Sequence, residues 1–220
     1  RFKAEYLQHY YDVCGVPMKA FLVARLTEIQ RLGAIFPWFY NAVVCNRLTG
    51  GILKRVLQFA PERTLPMLYK TTLKHWIGRY NRKNKGQTVG KVLLFADEFT
   101  NYMDVEIGMK MVELLDRLGY EVVIPKHVES GRTAISKGML KVARKVARKN
   151  VMLLKNIVSE NVPLVGIEPS CILSFRDEYP DLVGEELKEE AVRLGKNCLL
   201  YDEFFVREIR VGRIRAEQFT

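Results

Sequence analysis

Cysteine is scarce in this chain of 220 residues, and its four copies lie far apart. Cys14, Cys45, Cys171 and Cys198 include no CxxC pair of the kind that would by itself make a zinc or iron–sulfur site. A disulfide framework is not expected either, because such frameworks crowd cysteine into small secreted domains. We therefore predict reduced thiols, with Cys14, Cys45 and Cys198 acting as small apolar side chains.

Long hydrophobic runs are also missing. No apolar stretch reaches the roughly 18 residues that a membrane-spanning helix needs. The chain begins at Arg1 with neither an initiator methionine nor a signal-peptide pattern. We expect a cytoplasmic protein that meets membranes only through partners, and we expect this chain to be a fragment of a longer protein.

Acidic residues are outnumbered, with 25 Asp and Glu against 35 Lys and Arg, for a formal net charge of +10. Such an excess suits nucleic acid, anionic lipid or an acidic partner. Much of it lies at residues 141–149, where apolar residues recur at helical spacing and basic residues fill the opposite face. No RNA- or DNA-binding motif accompanies it. We therefore predict a solvated helix face and no nucleic-acid partner, and keep a non-catalytic binding module with a basic face as the alternative function.

Helical patterns fill the first 80 residues. The predicted helices span residues 3–11, 17–33, 37–59 and 71–80, with Pro17 and Pro37 where helices can begin. We expect the aromatic side chains of this region to pack helices on one another or on a neighbouring domain, with a cofactor or quinone site as the alternative. These side chains are Phe36, Trp38, Phe39, Tyr40, Trp76 and Tyr80. His9 and His75 are predicted to be surface or packing residues.

A polar, turn-rich stretch at residues 81–87 is the predicted boundary between a helical linker region, residues 1–85, and an α/β domain, residues 86–220. The predicted strands span residues 91–96, 120–125, 163–167 and 197–201, and the helices between and after them span residues 105–118, 135–158, 170–179 and 184–195. This alternation predicts a parallel sheet of about four strands, covered by helices and built with right-handed crossovers.

The ends of the first three strands define a candidate site, because ligands of such sheets bind beyond the carboxyl ends of the strands. The candidate residues are Glu98, His127, Glu129, Ser130, Arg132, Ser170 and Cys171. Cys171 follows Pro169 in the first turn of a predicted helix. Unpaired N–H groups at a helix start favour a thiolate, so we predict a lowered pKa for this thiol.

Residues 91–183 resemble the cysteine-rich CCG domain found in heterodisulfide reductase, in anaerobic glycerol-3-phosphate dehydrogenase, and in the iron–sulfur proteins of lactate and glycolate oxidation. That family has Gly-Cys-aromatic after the first strand, Cys-Cys-Gly after the second and Pro-Ser-Cys after the third. Here Glu98 stands at the first cysteine, Glu129 and Ser130 stand before Gly131, and only Cys171 remains. The resemblance identifies a first, degenerate repeat whose second repeat is missing.

Residues 1–80 resemble the helical linker of large FAD-linked oxidases, at residues 3–7, 15–17, 31–33, 60–63 and 65–66. In those proteins a flavin domain and a two-cluster ferredoxin domain precede the linker and paired CCG domains. The resemblance implies a parent oxidoreductase with FAD and iron–sulfur clusters that oxidises a small 2-hydroxy acid such as D-lactate or glycolate. It implies as partners the flavin domain, the ferredoxin domain and the second CCG repeat. The chain itself would be an inactive structural or docking module.

One cysteine cannot replace the several thiolates that an iron–sulfur cluster needs, so we predict no cofactor and no catalytic residue in this chain. The favoured interpretation of the candidate site is a structural remnant. In it Glu98 and Glu129 pair with Arg132, His127 or Lys126, while the two serines satisfy helix and turn N–H groups.

Three other interpretations stay open. One is a zinc site, since the ligand types that zinc prefers are present in Cys171, Glu98, Glu129 and His127. We favour the absence of a metal over this zinc site. Arg132 and the helix start at Ser170 suit an organic acid or a partner's carboxylate. Cys171 could also act as a nucleophile with His127 as its base.

Overall fold

The computed structural model describes residues 2–80 and 88–219. The predicted boundary at residues 81–87 lies outside these described residues. The division into residues 1–85 and 86–220 therefore stays a prediction.

Four parallel strands form one sheet in the order β2–β1–β3–β4. They are β1 (Gly90–Phe95), β2 (Tyr120–Val123), β3 (Leu164–Gly166) and β4 (Cys198–Leu200). Leu93 in the central strand β1 is in register with Val123 on one side and Leu164 on the other. Helices cover both faces, which is why β1 is a continuous apolar run with Val92 through Phe95 buried. The predicted α/β class and parallel sheet are confirmed.

Helices make up most of the remaining structure. The N-terminal region contains α1 (Phe2–Cys14), α2 (Met18–Ala24), α3 (Leu26–Gly33), α4 (Pro37–Cys45), α5 (Arg47–Val56) and α6 (Leu73–Ile77). The helices after β1 and β2 are α7 (Val105–Arg117), α8 (Arg132–Ser136) and α9 (Leu140–Leu154). Those after β3 and β4 are α10 (Pro169–Ile172), α11 (Ser174–Asp177), α12 (Tyr179–Leu182), α13 (Glu185–Lys196) and α14 (Tyr201–Arg210), with a 3-10 turn at Ala216–Phe219.

The long predicted helices are interrupted. The helix predicted over residues 17–33 breaks at Arg25, and the one predicted over 37–59 breaks at Asn46. The Asn46 side chain accepts hydrogen bonds from the N–H groups of Leu48 and Thr49, at 2.8 and 3.4 Å, and so starts a new helix. The helix predicted over 135–158 breaks at Gly138, whose φ of 73° is left-handed. Residues 170–179 form successive short turns instead of one helix.

Two clusters of buried apolar side chains lie on the two faces of the sheet. Leu93 and Phe95 face the cluster under α9 and α10 to α13, whereas Val92 and Leu94 face the cluster under α7 and α14. Leu73 of α6 is fully buried in the second cluster. The last helix of the N-terminal region is therefore part of the α/β core.

The segment around α6 is also bonded to the loop after β1. The Tyr69 and Leu73 N–H groups donate to the backbone oxygens of Tyr102 and Asn101, at 2.8 and 3.1 Å. The Lys74 N–H donates to the Asn101 side chain at 3.0 Å. The segment around α6 is thus fixed against the loop that carries Glu98.

The predicted aromatic packing is only partly observed. Trp76 and Tyr80 pack against the second core cluster with ring centroids 4.8 Å apart. Phe36, Trp38 and Phe39 are between 58% and 72% exposed. For these three side chains, the prediction of packing within the chain is wrong, because no described helix covers the start of α4. Packing on another domain stays a prediction.

The predictions for the cysteines and the surface histidines are also only partly confirmed. All four cysteines are free thiols. Cys198 is buried as predicted, but Cys14 and Cys45 are exposed, so the apolar interpretation of those two is wrong. His9 and His75 lie at the surface, as predicted.

The basic residues of α9 lie on its exposed face, as predicted. Lys141 pairs with Asp12 at 2.6 Å, and Arg148 pairs with Glu186. Part of this basic face therefore forms ion pairs with acidic residues of the same chain.

Candidate functional site

The three strand-end segments meet, as the parallel sheet predicts. Glu98 follows β1, Ser130 follows β2 and Cys171 follows β3; we call these residues the strand-end cluster. The Glu98 carboxylate accepts the Ser130 N–H at 2.9 Å and the Ser130 hydroxyl at 2.7 Å. The Cys171 thiol interacts with both Glu98 and Ser130. Each member is at most 1% exposed. The cluster is therefore a closed polar contact inside the protein.

Asp97 shapes the loop that turns Glu98 inward. Its carboxylate accepts the N–H groups of Phe99 and Thr100, at 2.8 and 3.0 Å, and the Thr100 hydroxyl at 2.7 Å. This is an Asx-type turn, in which an aspartate bonds the backbone two and three residues ahead. The acidic residue directly after a buried strand was the available sequence signal for it.

Asn150 and Tyr179 hold the loop after β2 from behind. Asn150 accepts the Val128 N–H at 2.9 Å and donates to the Glu129 carbonyl at 2.8 Å and the Tyr179 hydroxyl at 2.9 Å. The Tyr179 hydroxyl donates to the Ser130 carbonyl at 2.9 Å. Both side chains are buried. Sequence reasoning missed them, because neither belongs to a strand-end segment.

Burial controls the protonation of the cluster. It raises the pKa of Glu98, although two hydrogen bonds from Ser130 act in the opposite direction. It also raises the pKa of the Cys171 thiol, and the nearby Glu98 and Asp97 carboxylates add to this effect. The predicted lowering of the Cys171 pKa is therefore wrong. Helix α10 has only four residues, and two carboxylates lie where a thiolate would need cations.

His127 is buried but bonds its own neighbour instead of the cluster. Its Nδ1 lies 2.7 Å from the Val128 carbonyl and so must carry the proton that is donated. Its ring lies 4.5 Å from that of Phe95, and its Nε2 is buried with no hydrogen-bond partner among the described residues. Burial, and then the Lys74 charge, lowers the pKa of His127 to about 3. The ring is neutral, and its hydrogen bond is not directed at Cys171.

The other charged and polar residues of the candidate site mostly have different partners from those predicted. Arg132 pairs with Glu178 at 3.1 Å and not with Glu98 or Glu129. The half-buried Glu129 interacts with the Lys74 charge. The Ser130 hydroxyl accepts the Arg132 N–H at 3.1 Å, as predicted.

Ser170 has the opposite role from the one predicted. It donates its N–H at 3.3 Å and its hydroxyl at 2.7 Å to the Glu168 carboxylate. Glu168 therefore caps α10, and Ser170 offers no free N–H to an anion.

Replacing His127 by Asn should flatten the acid side of the stability profile. In the unsubstituted chain the folded His127 ring resists protonation down to about pH 3, whereas the unfolded ring binds a proton below its ordinary pKa. The unfolded state therefore gains stability as the pH falls. The free energy of unfolding of the unsubstituted chain should therefore fall by about 1.5 kcal/mol between pH 6.5 and pH 5. An Asn amide can still donate to the Val128 carbonyl, so urea unfolding of His127→Asn should lack that loss.

His9→Asn is the matched control, because His9 is exposed on α1. If both variants lost the same amount of the pH dependence of the unfolding free energy, that dependence would not arise from His127.

The cluster does not fit a metal or an iron–sulfur centre. Within residues 2–80 and 88–219, no group of three or more His, Cys, Asp or Glu side chains could hold a metal ion. The zinc interpretation therefore has no geometric support. An iron–sulfur cluster needs several thiolates, whereas here one protonated thiol lies beside a carboxylate and a hydroxyl that bond each other.

Comparison with known proteins finds relatives of this chain. It is 27% identical to the D-2-hydroxyglutarate dehydrogenase of Escherichia coli (strain K12) over 205 residues, which are 90% of this chain and 20% of that protein. It is 26% identical to the protein of the same name from Pantoea ananatis, over 84% of this chain and 19% of that protein. Lactate utilization protein A of Bacillus subtilis is 30% identical over 59% of this chain and 54% of its own length. No family model and no solved structure matches.

The chain is thus related to a 2-hydroxy-acid dehydrogenase and to a lactate utilization protein. The predicted link to oxidoreductases of this kind is supported, while the CCG assignment itself stays a prediction. The chain spans about a fifth of the length of the dehydrogenases. No helix in the described part of the chain is long and apolar enough to cross a membrane.

Proposed function

We propose that this chain is part of an FAD and iron–sulfur oxidoreductase that oxidises a small 2-hydroxy acid such as D-lactate or glycolate. The observation that carries the proposal is the similarity to D-2-hydroxyglutarate dehydrogenase along 90% of the chain. Because that similarity covers only a fifth of the relative, the activity would belong to a larger protein.

Within that protein, the proposed role of the chain is structural. The strand-end cluster supports this role, since its polar groups satisfy one another in a buried position. The exposed start of α4 supports a docking role, because Phe36, Trp38 and Phe39 form an apolar surface of the kind that marks protein interfaces. Its proposed partners are the flavin and ferredoxin domains or the second CCG repeat of the parent protein, in the cytoplasm.

The parent protein tests the catalytic half of the proposal. The complete reading frame should encode flavin-binding and ferredoxin motifs, and its purified product should show flavin absorbance that is bleached by one of the candidate 2-hydroxy acids under anaerobic conditions. A complete reading frame without either motif would refute it.

Anaerobic reconstitution of the 220-residue chain with iron and sulfide tests the structural half. We expect iron and sulfide far below one cluster per chain, because a single thiol among the described residues reaches the site and burial keeps it protonated. The matched control is Cys171→Ser, which should give the same background. Stoichiometric iron and sulfide that disappear in Cys171→Ser would show that the site still holds a cluster.

A second candidate function is a binding module for an anionic partner. It is favoured by Arg144, Lys145 and Lys149, which are exposed on α9 and form no ion pair with a described residue. Binding of heparin or anionic vesicles should then weaken steeply with salt. Binding that is weak and insensitive to salt would remove this candidate.

A further inference from the structure

The N-terminal helices surround a cavity that is partly open to solvent. Among described residues 2–67, the buried apolar side chains are small: Ala4, Ala20, Ala24 and Val44. Several larger apolar side chains that are half-buried surround a cavity of about 400 Å³. Its main lining residues are Leu22, Leu26, Ile29, Val44, Leu53 and Leu57.

Hydrogen bonds join the helices around this cavity to the segment that follows α5. The Asn41 amide donates to the Leu68 carbonyl at 2.7 Å and accepts the Leu68 N–H at 2.8 Å. Lys19 donates to the Gln58 carbonyl at 3.0 Å, and Lys54 donates to the Pro61 carbonyl at 2.8 Å. The wall formed by residues 57–66 is thus fixed to α2 and α5 and cannot collapse freely into the space.

The charge of the lining is one-sided. Arg63 and Lys137 line the cavity, and no acidic residue of the described chain does. Neither cation forms an ion pair with a described residue. Lys137 comes from the end of α8, so this cation belongs to the α/β part of the fold. An anion held there would contact both regions of the chain.

We propose that this cavity binds an aliphatic carboxylate of medium length. The alkyl chain lies among the leucines and Ile29 of α2, α3 and α5, and the carboxylate lies toward Arg63 and Lys137. The volume lies in the ordinary range of small-molecule sites, about 300–1,000 Å³, which are mostly apolar with a few convergent polar groups. Burial of the alkyl chain supplies the affinity, and the two cations select an acid over a neutral or cationic amphiphile.

The site is separate from the strand-end cluster and does not depend on the proposed oxidoreductase role. Because the ligand would join α8 to the N-terminal helices, its binding should also raise the melting temperature of the chain.

Sodium decanoate, below its micelle concentration, is the probe for a titration of the 220-residue protein followed by methyl NMR. We expect saturable one-to-one binding, with shifts at the methyl groups of Leu26, Ile29 and Leu53. Decan-1-ol and decylammonium chloride have the same chain length and should bind more weakly, in that order.

Two variants locate the site. Leu26→Trp fills the cavity and should abolish binding. Arg63→Gln combined with Lys137→Gln should weaken decanoate by about tenfold and leave decanol unchanged. Arg55→Gln removes an exposed charge of α5 outside the lining and should change neither ligand. The charge variants keep the test valid if Leu26→Trp fails to fold.

Three results would overturn the proposal. The first is no saturable binding of decanoate. The second is binding that the paired charge variant leaves unchanged. The third is a concentration-dependent dimer that shifts the same methyl groups without ligand, because a second copy of the chain would then fill the cavity.

Discussion

Gly166→Ala should destabilise the chain by about 3 kcal/mol, near the upper end of the cost of overpacking a core. A Cβ atom at Gly166 would lie 2.4 Å from Cβ of Ile172, 2.8 Å from its Cγ1 and 3.0 Å from its Cγ2. Ile172 is fully buried in α10, and β3 pairs with β1 and β4 on its two sides. Neither partner can move away without breaking the sheet or the core. Urea unfolding would show a lower midpoint with an unchanged slope.

Gly51→Ala is the control for this prediction. Gly51 lies in α5 with nothing within 4 Å of an added Cβ, so the same change should stabilise the chain by about 0.5–1 kcal/mol through helix propensity. Ile172→Ala should not rescue Gly166→Ala, because the nearest atom is the Cβ that alanine keeps. A stability loss below about 1 kcal/mol, or full rescue by Ile172→Ala, would contradict the close approach.

The strands, and the edge at which their ends meet, are what the sequence predicts well. The strands are short apolar runs between turn signals, and the observed strands lie within two residues of the predicted ranges. Since parallel strands place their carboxyl ends at one edge, the meeting of Glu98, Ser130 and Cys171 is expected from the parallel pairing of the strands. These features depend on local pattern and on the general geometry of the sheet.

The chemistry of the site depends on information that a pattern does not carry. Glu98 bonds Ser130 and not Arg132, because Glu178, far along the chain, takes the Arg132 guanidinium. The pKa of Cys171 rises where a helix start predicts a fall, because the loop after β1 buries the thiol beside carboxylates. The long helix predictions fail at Asn46 and Gly138, where a capping side chain and a left-handed residue outweigh apolar periodicity.

Asn150→Ala should cost about 4 kcal/mol, since a buried group left without a partner costs about 1–3 kcal/mol and two backbone groups of the loop would lose the Asn150 side chain as a partner. The Val128 N–H, the Glu129 carbonyl and the Tyr179 hydroxyl would each lose a hydrogen bond to Asn150. Alanine also leaves a cavity at a fully buried position of α9. The loop after β2 carries Ser130, so the loss should appear as faster amide exchange at residues 128–130 as well as a lower urea midpoint.

The neighbouring Lys149 provides the control, because it is exposed on the same helix and Lys149→Ala should change stability by no more than about 0.5 kcal/mol. Tyr179→Phe should cost about 2 kcal/mol, since it removes the bond to the Ser130 carbonyl and the bond from Asn150. The two changes share one hydrogen bond, so the double variant should lose less than the sum of the single losses. Strict additivity would show that Asn150 and Tyr179 support the loop independently, and the strand-end cluster would then not depend on a connected network behind it.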